Sequence, residues 1–494
     1  LGIDYGIHAF ARYVESRRSG LNFEDSIEKL INQTGKALAT TAITTSAAFF
    51  SLTIMDFRGF SELGFISGLG MLFALLAMII VLPAFITLLE RLRLLKIKPS
   101  KKATSVFKSE QFRFSSPILL VTLLTIPFSI YWTLKVSFEY DFTNLRAITQ
   151  EREEVSRKTA GVFKLSESPA VVLADSKDEI PAIEEALRNI IEKDTLTPTI
   201  ETFKSVYSLV PENQDEKLAK IREIRELVNN EADGVVSGED KALLDKLKGY
   251  LAVEQPFTWD DFPEKDKEQF INKRGKIGNF VFIYPSVPLR DGKNAIEFRN
   301  DVGEIRTSDN KIYYASSSNI ILAEMLVIMI REGEIAVILT FFVVFLIVLA
   351  DFRSFKAAVL VLTPLALGIL WMIGIMYVTG MKWNLFNIVV IPSIIGIGVD
   401  NGVHIYHRCQ EEGRGSLLHV LRNTGLAIAM TTSTTIVGYS GLIAANHPGL
   451  NSIGKLAVIG LISTFFTAMV VLPALLQFLE NRKEPESTSA LAKS

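Results

Sequence analysis

A seven-residue phrase occurs twice in this chain, and both times it sets a carboxylate inside an otherwise apolar helix. Gly2-Ile3-Asp4-Tyr5-Gly6-Ile7-His8 returns as Gly398-Val399-Asp400-Asn401-Gly402-Val403-His404, and Arg12 falls on Arg408 at the same shift of 396. A charge at the centre of a bilayer costs roughly 2.5–3.5 kcal/mol on insertion scales, so an acid placed there marks function by default. Placing it twice, at equivalent points, demands a fold made of two related helix sets.

The duplication runs beyond the phrase. From Thr34-Gly35 onward the shift becomes 390, because the loop between is six residues shorter in the second copy. Gly59 then matches Gly449, Gly64 matches Gly454 and Gly70 matches Gly460. Val81-Leu82-Pro83-Ala84 returns as Val471-Leu472-Pro473-Ala474, and Leu89-Glu90 as Leu479-Glu480. Both copies carry their charged ends on one side, which makes this a parallel repeat about an axis along the membrane normal.

Nine segments are long and apolar enough to be read as crossing a ~30 Å hydrocarbon core. Residues 1–90 hold three of them, about 1–15, 36–56 and 62–90, the last helices of a first half. A basic linker, 91–113, leads to the first helix of a second half at 114–134. Five more follow within 332–480, at about 333–351, 356–379, 384–407, 424–445 and 452–480, before a tail at 481–494. Between the apolar runs lies a polar, charge-rich domain, 135–331. Leu1 is not an initiator Met and the repeat opens in mid-helix, so the chain is expected to be the C-terminal portion of a longer protein.

The basic residues give orientation. Arg91, Arg93, Lys96, Lys98, Lys101, Lys102 and Lys108 crowd the linker, and Arg12, Arg17, Arg18, Arg353, Lys356, Arg408, Arg414, Arg422, Arg482 and Lys483 fall on the same side. Positive-inside makes that side cytoplasmic. The expected placement is therefore a multi-pass protein of the inner (plasma) membrane, with a cytoplasmic C-terminus and an extracytoplasmic polar domain. Within that domain, Ala170–Ala174, Phe280–Tyr284 and Lys311–Ala315 read as strands, with Ile180–Glu192 and Ala295–Arg306 as helices. This spacing suits a ferredoxin-like split βαβ unit, with a charged helical hairpin inserted at 213–250. A net charge of -2 offers no excess of cations for nucleic acid. The single Cys409 excludes an intramolecular disulfide.

On a helix, Asp400, His404 and Arg408 form one stripe at i, i+4 and i+8, ~6 Å apart along the axis. With Arg408 at the interface, Asp400 lies about 12 Å inward. Gly398 and Gly402 form a small-xxx-small pair on roughly the opposite face, where a neighbouring backbone can come close. Asp4, His8, Arg12, Gly2 and Gly6 repeat the pattern. Burial disfavours a charged carboxylate, which can bring proton uptake and release into the physiological range. A proton crossing the membrane field carries roughly 2.3 kcal/mol per 100 mV, enough to drive conformational work. The next helices add matched hydroxyls, Thr41, Thr44 and Thr45 against Thr431, Thr434 and Thr435, whose alternative is bonding back to their own helix carbonyls. Thr40 and Thr432, off that face, are replaced by Met430 and Ala42 in the other copy.

These residues together resemble the resistance-nodulation-division (RND) superfamily, and within it the branch of mycobacterial large membrane (MMPL) proteins and hopanoid exporters. The resemblance implies a polytopic α-helical membrane protein of two pseudo-twofold-related helix sets, starting here in the fourth helix of the first half. It also implies that paired residues on the fourth and tenth helices carry protons, which lands on Asp4-Tyr5 and Asp400-Asn401. Asn401 departs from the usual Asp-Tyr pair of that branch, and His8 and His404 are additions to it. The implied function is a proton-motive-force-driven exporter of a hydrophobic or lipid-like substrate. Protons are then the coupling ion, with no cofactor, no metal site and no catalytic residue. Membrane lipids are the expected partners, with a homo-oligomer or a periplasmic carrier protein left open.

Three other readings compete. One is a non-transporting sterol- or lipid-sensing protein on the same helices; another is an RND-type protein-secretion accessory. The third is an intramembrane aspartyl protease, since Gly396-Ile397-Gly398-Val399-Asp400 is superficially like Gly-x-Gly-Asp. Val399 interrupts that match, and duplication of whole helix sets is unlike those proteases.

Overall fold

The computed structural model describes residues 2–95, 114–145, 169–210, 213–231, 239–258, 261–273 and 275–482, with the single positions 97, 112, 147, 154, 155 and 158. Lys96, Lys98, Lys101, Lys102 and Lys108 of the basic linker lie outside the described residues, as does Lys483. The chain divides into two units, Leu1–Thr149 with Met325–Ser494, and Gln150–Glu324.

Seven described helical segments are long and apolar enough to cross a membrane. They are Phe23–Ile54, Arg58–Arg91, Ser115–Thr133, Ser318–Phe352, Phe355–Val378, Leu417–Ile443 and Pro448–Arg482. The apolar window of Arg58–Arg91 is only 6% buried, and that of Ser115–Thr133 only 11%. Faces left bare in this way suit contact with acyl chains, because a helix satisfies its own backbone polar groups.

The two helices carrying the repeated phrase, Ile3–Arg18 and Val390–Glu412, are not among those seven. Ile3–Arg18 has only 16 residues, and the Asp and His residues of Val390–Glu412 dilute its apolar run, which neighbouring helices wrap instead. Along Val390–Glu412, sixteen of the residues are buried. The second phrase helix also starts later than the expected 384. Asn384 accepts from the Phe386 and Asn387 amides at 2.9 Å, and Asn387 accepts from the Asn384 amide at 2.9 Å. Both Asn side chains donate to Ser452 Oγ at 2.9 Å, so 384–389 is a pinned turn rather than a helix. The last expected span contains a π turn, Thr467–Val471, between Pro448–Phe466 and Leu472–Arg482. Buried Thr467 donates there to the Pro364 carbonyl at 2.6 Å, a bond that Ala77, its counterpart in the first half, cannot make.

Each half has its own apolar core. Tyr5, Leu38, Phe49, Leu52 and Ile86 pack in the first; Val361, Leu365, Ile394, Val399 and Leu461 pack in the second. The repeat is also visible in contacts. A Cβ on Gly64 would run into the Phe49 carbonyl oxygen, and one on Gly454 would stand 2.9 Å from the Tyr439 carbonyl oxygen. Phe49 and Tyr439 are related by the same shift of 390. Each half therefore closes a helix pair over a glycine where no side chain fits.

The second unit is built on a four-stranded antiparallel sheet in the order β2-β3-β1-β6. Its strands are β1 (Ala170–Leu173), β2 (Ile200–Ser205), β3 (Phe280–Pro285) and β6 (Ala315–Ser316). β4 (Ile305–Arg306) and β5 (Ile312–Tyr313) form a separate ribbon. Ala170 pairs with Ile283 and Val172 with Val281, so four apolar side chains share the buried face. Against it lie Ile180, Ile183 and Leu187 of the helix Ile180–Lys193 and Phe298 and Val302 of Gly292–Val302. Asp291 caps the latter by accepting from the Lys293 amide at 2.9 Å, which starts the helix three residues before the expected Ala295. The insertion forms two helices, Gln214–Glu231 and Glu239–Leu251, tied by Arg225 donating to the Leu251 carbonyl at 2.8 Å. Residues 232–238 between them lie outside the described residues.

The glycine contacts give a paired test. Gly454→Ala should lower unfolding stability in detergent by about 1–3 kcal/mol, because backbone atoms must shift to admit a methyl group. Gly70→Ala meets nothing within 4 Å and should leave the thermal transition unchanged or slightly raised.

Candidate functional site

The two phrase helices cross between the halves. Ile3–Arg18 packs on the threonine helix of the second half, Leu417–Ile443, and Val390–Glu412 packs on that of the first, Gly35–Phe50. Gly396 allows the second approach, since a Cβ there would already lie 3.1 Å from Ala48 Cβ. The two acids are thereby turned toward each other.

Asp4, Tyr5, His8, Asp400, Asn401 and His404 line one cavity of ≈ 20 Å³, together with Thr431, Thr432 and Thr435. That is room for about one water molecule. Ile397 and Leu461 are its apolar wall. The His8 and His404 rings stack across the seam, 4.0 Å between centroids and 17° apart in plane. Two imidazolium rings at that separation would repel strongly, so the pair carries at most one charge with ease. Asp4 Oδ1 and the Tyr5 hydroxyl are buried with no hydrogen-bond partner among the described residues. Such orphaned groups are rare in interiors and call for a mobile partner or a functional reason.

The threonines divide. Thr45 donates to the Gly396 carbonyl at 2.8 Å and lies 3.3 Å from both oxygens of Asp400. Its repeat counterpart, Thr435, faces Asp4 in the same cavity. Thr435 itself donates to the Thr431 carbonyl at 3.1 Å, so the two halves are not alike here. Thr41, Thr44, Thr431 and Thr434 bond back to carbonyls of their own helices. Thr434 is exposed, away from the cavity. Thr432, expected off the face, lines it, because the cavity spans a wider arc of that helix than one stripe.

The glycines of the phrase point away from the acids, each into its own half. A Cβ on Gly2 would meet Ala74 Cβ at 2.5 Å and one on Gly6 would meet Met78 Sδ at 3.0 Å. On Gly398 it would meet Leu365 Cδ1 at 2.8 Å, and on Gly402 the Val361 carbonyl oxygen at 2.6 Å. Gly2 against Ala74 and Gly398 against Thr464 are one contact made twice.

Two features escaped the sequence reading. Arg12 pairs with Glu15 at 3.0 Å and with Glu411 at 3.6 Å, and Arg408 pairs with Glu15 at 2.8 Å and with Glu411 at 3.3 Å. Glu15 and Glu411 obey the same shift of 396, so the repeat itself held the signal. This crossed ion cluster closes the arginine end of the seam. The other feature is His407, whose Nε2 lies 2.6 Å from Asp351 Oδ2, both nearly buried. Ala11 occupies the equivalent place in the first half, so no repeat signal marks this pair.

Thr45→Val, which keeps shape and removes the hydroxyl, should lower stability by about 1 kcal/mol. Thr434→Val should leave the same thermal unfolding curve in detergent within error.

Residues 1–120 and 290–492 match the model of the MMPL family. The chain is 23% identical to the hopanoid transporter HpnN of Burkholderia multivorans over 96% of its own length and 59% of that protein's. It is also 23% identical to the hopanoid transporter HpnN of Rhodopseudomonas palustris, over 96% of this chain and 60% of that protein. It therefore spans about three-fifths of the length of these relatives. Among solved structures, SecDF of Thermus thermophilus, a translocon-associated membrane protein, superposes with a TM-score of 0.53 at 14% identity. That superposition covers 98% of this chain and 53% of SecDF, and it speaks for the fold alone.

Proposed function

Because this chain belongs to the MMPL family, we propose that it is the membrane engine of a proton-driven exporter of a hydrophobic, hopanoid-like lipid. The observation that carries the reading is the cavity into which both halves deliver an acid and a histidine. Asp4 and Asp400 are the proton carriers. Thr45 reaches Asp400 from the opposite half, so protonation of that acid weakens a bond across the seam. Tyr5 and Asn401 are the unlike partners beside the acids, and His8 and His404 pass protons toward the arginine end.

A cavity of ≈ 20 Å³ admits water and protons but no lipid. Substrate therefore moves elsewhere, and the coupling is mechanical. Neutralising the acids lets one half rock against the other about the axis that relates them, as in other repeat-built transporters. The relatives' hopanoid substrates support a rigid polycyclic lipid as cargo.

In this reading the arginine end is cytoplasmic and the protein sits in the inner membrane. The α/β unit is extracytoplasmic, where it meets substrate. Its order β2-β3-β1-β6, with a helix after β1 and another after β3, supports a ferredoxin-like unit.

Two measurements check this. In proteoliposomes of full-length protein doped with a hopanoid and held under a pH gradient, Asp400→Asn should abolish lipid-dependent proton flux, as should Asp4→Asn. Flux that persists in both variants overturns the relay. For topology, a Cys placed at Leu196, 92% exposed, in a Cys409→Ser background should react with an impermeant maleimide from outside intact spheroplasts. A Cys at Arg353 should react only after permeabilisation.

A further inference from the structure

The cavity is symmetric in its acids and histidines, but its surroundings are not. Three residues beyond His404, on the neighbouring position of the same helix face, stands His407. Asp351 receives it at 2.6 Å, from the last turn of the helix Ser318–Phe352. The Phe352 ring lies 4.4 Å from the His407 ring and shields it. From the threonine helix of the first half, buried Thr40 and exposed Lys36 lie beside Asp351. Along its own helix, His407 is flanked by His404 on the cavity side and by Glu411 on the arginine side. The side chains of His407 and Asp351 are only 11% and 10% exposed, and Lys36 next to them reaches solvent. Titratable groups thus continue from the cavity past His407, a position that is Ala11 in the first half.

We propose that His407 and Asp351 form a one-sided proton exit from the cavity to the arginine end of the bundle. This rests on the proton-relay reading above and deepens it. A proton leaving His404 binds His407 Nδ1, and the resulting imidazolium gives its Nε2 proton to Asp351 Oδ2. Neutral Asp351 then releases that proton to water beside Lys36. The ring is left with its proton on Nδ1 and resets by exchanging it for one on Nε2. One proton enters and one leaves, and no other bond changes. A histidine and a carboxylate at hydrogen-bond distance are the usual parts of such a relay. Because only one half owns them, the two acids, alike in the cavity, discharge by the same door.

Infrared difference spectra of full-length protein in lipid nanodiscs, taken after a rapid acid jump, test this without any cargo. The signal is the protonated-carboxyl stretch, and its Asp400-dependent part is defined by Asp400→Asn. If Asp400→Asn removes nothing, the relay reading itself fails, and this exit with it. With that part identified, His407→Ala and Asp351→Asn should each preserve its amplitude and slow its rise by about 100-fold. Imidazole added to the buffer should restore the rate in His407→Ala. A rise as fast as in the unaltered chain, or a slowing that imidazole leaves untouched, overturns the exit while leaving the relay standing. Asp351→Asn keeps the size of the side chain, so it decides the matter if His407→Ala does not insert.

Discussion

Two carboxylates have to be kept out of contact with acyl chains, and the arrangement of this helical unit follows from that. An acid facing lipid costs several kcal/mol, whereas one facing another polar group from the opposite half shares its desolvation with partners. The second phrase helix, Val390–Glu412, is accordingly largely enclosed. Asp400 receives the Thr45 hydroxyl, and His8 and His404 cover the seam with a ring stack 4.0 Å deep. Below them Arg12 and Arg408 exchange glutamates between halves. The polar column runs from acids to rings to ion cluster, with apolar cores on either side.

Small side chains are what make the column possible. Gly396 admits the first threonine helix so closely that Thr45 bonds to its carbonyl. Gly402 lets the Val361 backbone approach from the other side. Bulk at either point would push a helix outward and open the seam to water or lipid. Glycine at these places therefore does electrostatic work through distance, since the strength of every bond in the column depends on how near the neighbouring backbone comes.

The departures from symmetry are as informative as the repeat. Asn401 replaces a tyrosine, His407 replaces an alanine, and Thr467 stands where the first half has Ala77. All three lie in the second half; His407 and Thr467 each add a hydrogen-bonding group to it, and Asn401 exchanges a phenol for an amide.

Much of this could be read from the chain itself. The phrase at Asp4 and Asp400, the shifts of 396 and 390 and the apolar runs determined two helix sets and located the acids, because repeat spacing and helical period are properties of sequence. Even the Glu15–Arg408 crossing was latent in the same shift. Other features came from three-dimensional contact alone. Asn384 and Asn387 delayed the start of a helix by bonding to Ser452, 65 or more residues away. Which threonine reaches an acid, and that Thr432 rather than Thr434 faces the cavity, depended on how far each helix rotates against its neighbour. The Asp351–His407 pair joins residues 56 apart with no repeat to announce them. Periodicity fixes which side chains share a face, but only packing decides what that face meets.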